Sequence, residues 1–192
     1  MKKLVALLGS LMLMFVGSAQ AGLYNFTGNL EYHNEVIYTY FSVEKDATNV
    51  RVWTDSFKSG VNFDPITALW TAKGVLIAEN DDNESVNPVT QTFWDSGFIL
   101  SNLAAGNYVF TMTRFPNFAI NTTLESGFRF DAEAPIPFKD WAKSIGSENL
   151  GSFWSVWVDG VDRASNPSVP APASILLFGL GLVALRFRKT KG

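Results

Sequence analysis

The chain has 192 residues, one histidine, no cysteine and a formal charge of −3. That length holds one domain of ordinary size together with addressing segments. The missing cysteines exclude disulfide staples, thiol nucleophiles and cysteine-ligated metals, the lone histidine excludes multi-histidine metal sites, and the charge balance excludes a nucleic-acid partner held through phosphates.

The charge is unevenly spread. Six of the 15 basic residues sit at the two ends, whereas all 18 acidic residues lie between residues 22 and 168, so that middle segment carries −9. At the front, Lys2 and Lys3 precede an apolar run over 4–16 and the small-x-small triplet Ala19-Gln20-Ala21. That order predicts a secretory signal peptide over 1–21, cut at the site marked by Ala19 and Ala21, rather than a buried first helix. The mature chain then begins at Gly22.

Period-two alternation dominates from there to residue 114 and predicts strands. Tyr24, Phe26, Gly28, Leu30 and Tyr32 alternate with polar residues; 36–43 is rich in β-branched and aromatic residues, and 50–54 is a further short strand. Residues 66–71 and 75–78 are expected to form a hairpin around Ala72-Lys73-Gly74, and 97–103 and 107–114 another around Ala104-Ala105-Gly106. Residues 137–144 suit a turn or two of helix with Pro137 first. A late strand over 153–158 is expected to close a sheet beside an early one. The reading is all-β: a single antiparallel sandwich over 22–164. Its interior should draw on Phe26, Val36, Tyr38, Val52, Leu69, Leu76, Phe98, Leu100, Tyr108, Phe110 and Trp157. Alternation puts Trp154 and Trp157 on opposite sides of their strand, so only one of them can reach that core.

A polar linker over 165–168 leads to Val169-Pro170-Ala171-Pro172, then 13 apolar or small residues over 173–185, then Arg186, Arg188, Lys189 and Lys191. Thirteen residues make a helix of about 20 Å, against a hydrocarbon thickness of about 30 Å. Such a short hydrophobic helix suits a transient stop in the membrane, with its basic end cytoplasmic and the acidic middle outside. These three parts over 169–192 resemble the PEP-CTERM sorting signal of Gram-negative bacteria, with Ala171 where that family usually has glutamate. The resemblance implies recognition by an exosortase-type membrane protease, a brief stay at the inner membrane, and delivery to the cell surface or the exopolysaccharide matrix of a biofilm. A membrane anchor that is never cut is the alternative.

A second resemblance lies inside the domain. Phe63-Asp64-Pro65, the stretch Ala78-Glu79-Asn80-Asp81-Asp82 and the hairpin motif Leu103-Ala104-Ala105-Gly106-Asn107-Tyr108 are similar, in that order, to pre-peptidase C-terminal-like (PPC-like) domains. That likeness implies a jelly-roll-like β-sandwich without catalysis of its own.

Asp64, Asp81 and Asp82, with Asn80 and Asp95 nearby, are the candidate metal ligands, for calcium, which takes six to eight oxygens from Asp- and Asn-rich loops. The competing reading makes them turn-formers whose side chains bond their own backbone. The six tryptophans offer either a sugar-stacking platform or ordinary packing. His33, in a polar turn, is expected to be solvated and without a role. No Gly-x-Ser-x-Gly elbow accompanies it, and no acid pair stands out for glycoside chemistry, so no enzyme is expected and no catalytic residue is assigned. The expected function is that of an exported, non-enzymatic surface or matrix protein; the alternative is a carbohydrate-binding, lectin-like module dependent on calcium.

Overall fold

The computed structural model describes residues 21–167. The signal segment before Ala21, the sorting motif over 169–172 and the expected anchor helix over 173–185 lie outside the described residues. Among the described residues, nine strands form two antiparallel sheets. One has the order β1 (Gly22–Asn29), β8 (Phe153–Val161), β3 (Val50–Thr54), β6 (Gly97–Leu100). The other has the order β5 (Leu76–Asn80), β4 (Pro65–Thr71), β7 (Gly106–Arg114), β2 (Ile37–Val43), β9 (Arg163–Ser165). The short helix α1 (Phe138–Ser144) follows Pro137, its N-cap. Among the described residues no helix is long and apolar enough to cross a membrane.

The alternation read from the sequence is what builds the core. Inward residues of both sheets, among them Ile37, Phe41, Val50, Val52, Leu69, Phe110, Met112, Trp154, Val156 and Val158, are buried against one another. Each large side chain buried this way stabilises by about 1.5–3 kcal/mol, enough in sum to need no cross-link. The late strand does join an early one: β8 lies between β1 and β3. The hairpin β4–β5 forms as expected, with Gly74 at φ 74° in its turn, a left-handed conformation that glycine adopts without strain.

Three expectations are corrected. Residues 97–100 and 106–114 do not pair: β6 lies beside β3 in the four-stranded sheet, and β7 between β4 and β2 in the other. The intervening segment bridges the two layers, held by the Ala47–Leu103 pair. Trp154, not Trp157, enters the core; Trp157 is half-buried on the outer face, stacked on Trp53 with ring centroids 5.8 Å apart. Val36, Tyr38 and Leu76 are not in the central core. They pack in a smaller cluster with Ala68, Trp70, Val109 and Phe128. That cluster forms where the 115–134 segment folds over the outer face of β4 and β7.

Gly97 explains how β6 can lie so close to β3. A Cβ there would meet the Val52 carbonyl oxygen and stand 2.7 Å from Trp53 Cα. Both are backbone or backbone-proximal atoms that cannot step aside. Gly97→Ala is therefore expected to cost about 2–3 kcal/mol, read as a lowered midpoint in urea unfolding.

Candidate functional site

The β4–β5 hairpin assembles the acidic site. Its register pairs Thr67 with Asn80 and Ala68 with Glu79. Asp64, just before β4, and Asp81 and Asp82, just after β5, are thereby carried to the same end of the hairpin. One carboxylate oxygen from each of the three lies within 4.8 Å of the others. They line a cleft of about 490 Å³ whose other walls include Asn62, Trp94, Arg114, Phe115 and Trp141. Arg114 reaches it because β7 runs beside β4, with Arg114 opposite Pro65.

The turn-forming reading fits other residues better than these. Asn83 accepts from the Ser85 N–H at 3.2 Å, and Asn87 from the Val89 N–H at 3.3 Å, both side-chain turns. Asp95 is fully buried and receives the Phe57 and Thr92 N–H groups and the Thr54 and Thr92 hydroxyls. It ties the 54–57 and 92–95 segments together. Asn80 is likewise engaged, accepting from the Ser96 hydroxyl at 3.0 Å. By contrast, Asp64 Oδ1 and Asp81 Oδ1 are buried, and no donor reaches them among the described residues.

Electrostatics follows from that arrangement. Burial first, then repulsion from Asp81, Asp82 and Asp95, pushes the Asp64 carboxyl up to about 7. Asp81 is raised by burial and by Asp82 and Glu79, and Asp82 by burial and by Glu84. Three crowded acids, two of them with an orphaned buried oxygen, form a donor set that could hold a metal ion. An all-oxygen set of this kind is the donor chemistry of calcium sites, where the remaining ligands come from water or from a bound molecule.

His33 is not solvated. It is 1% exposed. Its Nδ1 accepts from the Ile136 N–H at 3.2 Å, so the proton sits on Nε2, which donates to Glu133 at 2.9 Å. Arg114, 3% exposed, donates through Nε to the His33 carbonyl and through Nη1 to the Phe115 carbonyl. Its guanidinium lies 3.6 Å from the Trp141 ring centroid and 4.6 Å from that of Phe130. Burial pulls its pKa down to about 10, against the opposing pull of Glu133. Arg114 and Phe115 carried no signal as site residues in the sequence, whereas Trp141 is one of the six tryptophans weighed there as a stacking platform. Of the six tryptophans, Trp94 is the exposed one, at 46%, and Phe115 at the same cleft is 45% exposed. A second hollow, of about 500 Å³ beneath β9, is lined mainly by Tyr40, Phe41, Tyr108 and Val109 and gathers no carboxylates.

Beyond the folded sheets, residues 168–189 match the family model of the PEP-CTERM protein-sorting motif. The motif marks an exported protein targeted by exosortase. It implies recognition by an exosortase membrane protease at a C-terminal, membrane-anchoring sorting signal. The match covers the tail alone, and no curated protein matches the chain.

Proposed function

We propose that the chain is an exported, non-enzymatic protein of the bacterial surface or exopolysaccharide matrix. It leaves its signal peptide behind after Ala21, is held briefly in the inner membrane by 169–192, and is released by an exosortase-type protease. The observation that carries this reading is the sorting motif placed directly after an acidic two-sheet domain. The nested strand order, β1-β8-β3-β6 against β5-β4-β7-β2, supports a jelly-roll description of that domain and the likeness to PPC-like modules. The buried engagement of the only histidine on both ring nitrogens supports a role without catalysis. Calcium at Asp64, Asp81 and Asp82 would brace the hairpin end of the domain and neutralise part of its charge.

Intact mass of the protein recovered from cells tests this reading. The expected species begins at Gly22 and lacks the basic tail; a full-length cytosolic chain would refute it.

A second reading, a calcium-dependent carbohydrate-binding module, is favoured by one observation. Exposed Trp94 and Phe115 stand at the mouth of the cleft that holds the three carboxylates. A sugar ring stacked there would bring hydroxyls toward the cation. Glycan-array binding that disappears in chelator is the expected result, and no binding to any glycan would remove the idea.

A further inference from the structure

Four strand edges bound the two sheets, and they differ. The 119–124 segment runs along β5: the Leu76 N–H donates to the Thr122 carbonyl at 2.9 Å, and the Ala119 N–H to the Glu79 carboxylate at 2.8 Å. β9 has three residues and carries Arg163, and β6 has four. Short strands, charge and covering loops are the devices that stop a sheet edge from pairing with another chain. Among the described residues, β1 has none of them. It runs for eight residues without a charge or a proline, and among the described residues only β8 pairs with it.

The register says which of its groups face outward. The Leu30 N–H donates to the Ser152 carbonyl at 2.8 Å, continuing the pairing of Asn29 with Phe153. Opposed residues of an antiparallel ladder alternate between hydrogen-bonded and non-hydrogen-bonded pairs. Tyr24, Phe26 and Gly28 therefore turn their N–H and C=O groups toward β8. Leu23, Asn25, Thr27 and Asn29 turn theirs away, and their side chains are exposed as well. Tyr24 and Phe26 point into the sandwich, yet both are only partly buried, because the core ends at this edge.

We propose that two copies of this chain join antiparallel through their β1 edges, about a two-fold axis at Phe26. Asn25 then faces Thr27 of the second copy and Leu23 faces Asn29, which are the positions with free hydrogen-bonding groups. Inward side chains meet inward ones, Tyr24 opposite Gly28 and Phe26 opposite Phe26, so the partly buried rings cover each other. About eight N–H···O bonds form, and the two four-stranded sheets become one. A slip by one residue would set the inward face against the outward one, so the register is specified. The uncharged edge brings no opposed like charges, although the domain as a whole is acidic.

Sedimentation velocity on the exported protein is expected to show a concentration-dependent dimer. Thr27→Pro removes one outward N–H and leaves the β8 ladder intact, a placement that edge strands tolerate; it should give a monomer with unchanged circular dichroism. Thr27→Lys combined with Asn25→Lys, which needs no backbone change and sets lysine directly opposite lysine, should weaken the dimer about tenfold or more. The chain has no cysteine, so Asn25→Cys combined with Thr27→Cys should yield an intermolecular disulfide on oxidation, the opposed Cα atoms being about 5.5 Å apart. A wild-type protein that stays monomeric throughout overturns the proposal. So does a dimer that survives both Thr27→Pro and the double lysine variant.

Discussion

Calcium added to chelated protein at pH 8 should raise the melting temperature by about 5–10 °C, and Asp64→Asn should abolish the rise. The size follows from mass action. An ion present at about a hundred times its dissociation constant stabilises by about 2.7 kcal/mol, and each kcal/mol moves the midpoint of a domain this size by a few degrees. The pH dependence has a definite sign. Asp64 titrates near 7 in the cation-free fold, against an ordinary value of 3.8. Between those two pH values the folded state holds more protons than the unfolded one. The stability of the chelated protein therefore falls as pH rises from about 4 to about 7 and levels off above. Protons and the ion compete for the same oxygens, so the calcium-induced shift should be largest above pH 7 and fade toward pH 5. Asp64→Asn removes one repelling charge, so at pH 8 without calcium it should melt no lower than wild type. Calorimetric scans with and without chelator across this range check all of this. A chelated protein that grows more stable from pH 5 to pH 8, or a calcium shift that persists in Asp64→Asn, would contradict the assignment.

The acidic site was readable from the sequence because it is local. Asp64 and Asp81–Asp82 flank one hairpin, and hairpin register follows from a short loop with glycine at its end. The strands themselves were readable for the same reason: alternation shows which residues share a face. What alternation does not carry is the partner. Residues 97–100 and 106–114 have the pattern of a hairpin and the same pattern as two strands in opposite layers. The choice falls to Gly97, which lets β6 press against Val52 and Trp53. Trp154 and Trp157 pose the equivalent problem of phase. They must point to opposite sides, but it is the company of Val156 and Val158 that turns Trp154 inward. The bonds of His33, and those of Asp95 beyond its local pair with Thr92, were out of reach. Asp95 is held from residues 54 and 57, and His33 from residues 133 and 136, about a hundred positions away. No local pattern marks a polar residue that finds its partners across the fold.

Arg114→Met should be the most damaging single substitution at the cleft, lowering stability by about 3–5 kcal/mol. The guanidinium closes a cage: it donates at 2.8 Å to the His33 carbonyl and at 2.7 Å to the Phe115 carbonyl, and it lies between Trp141 and Phe130. Methionine fills part of the volume but leaves both carbonyls without that donor, at about 1–3 kcal/mol for each one that stays buried, and loses the cation–ring attraction. Arg114→Lys should recover less than half of the loss, since a single ammonium cannot reproduce the planar fork that reaches two acceptors. Glu133→Gln is the informative control. Its amide oxygen can still accept from His33 Nε2, so it should cost well under 1 kcal/mol if hydrogen bonding rather than charge holds the 130–137 segment. Hydrogen exchange supplies the spatial test: in Arg114→Met the Ile136 and Phe138 amides, bonded to His33 Nδ1 and to the Glu31 carbonyl, should lose protection before those of β7 or β8. A variant that melts within a degree or two of wild type, with those two amides still protected, would mean that the cage does not hold this cap on the sandwich.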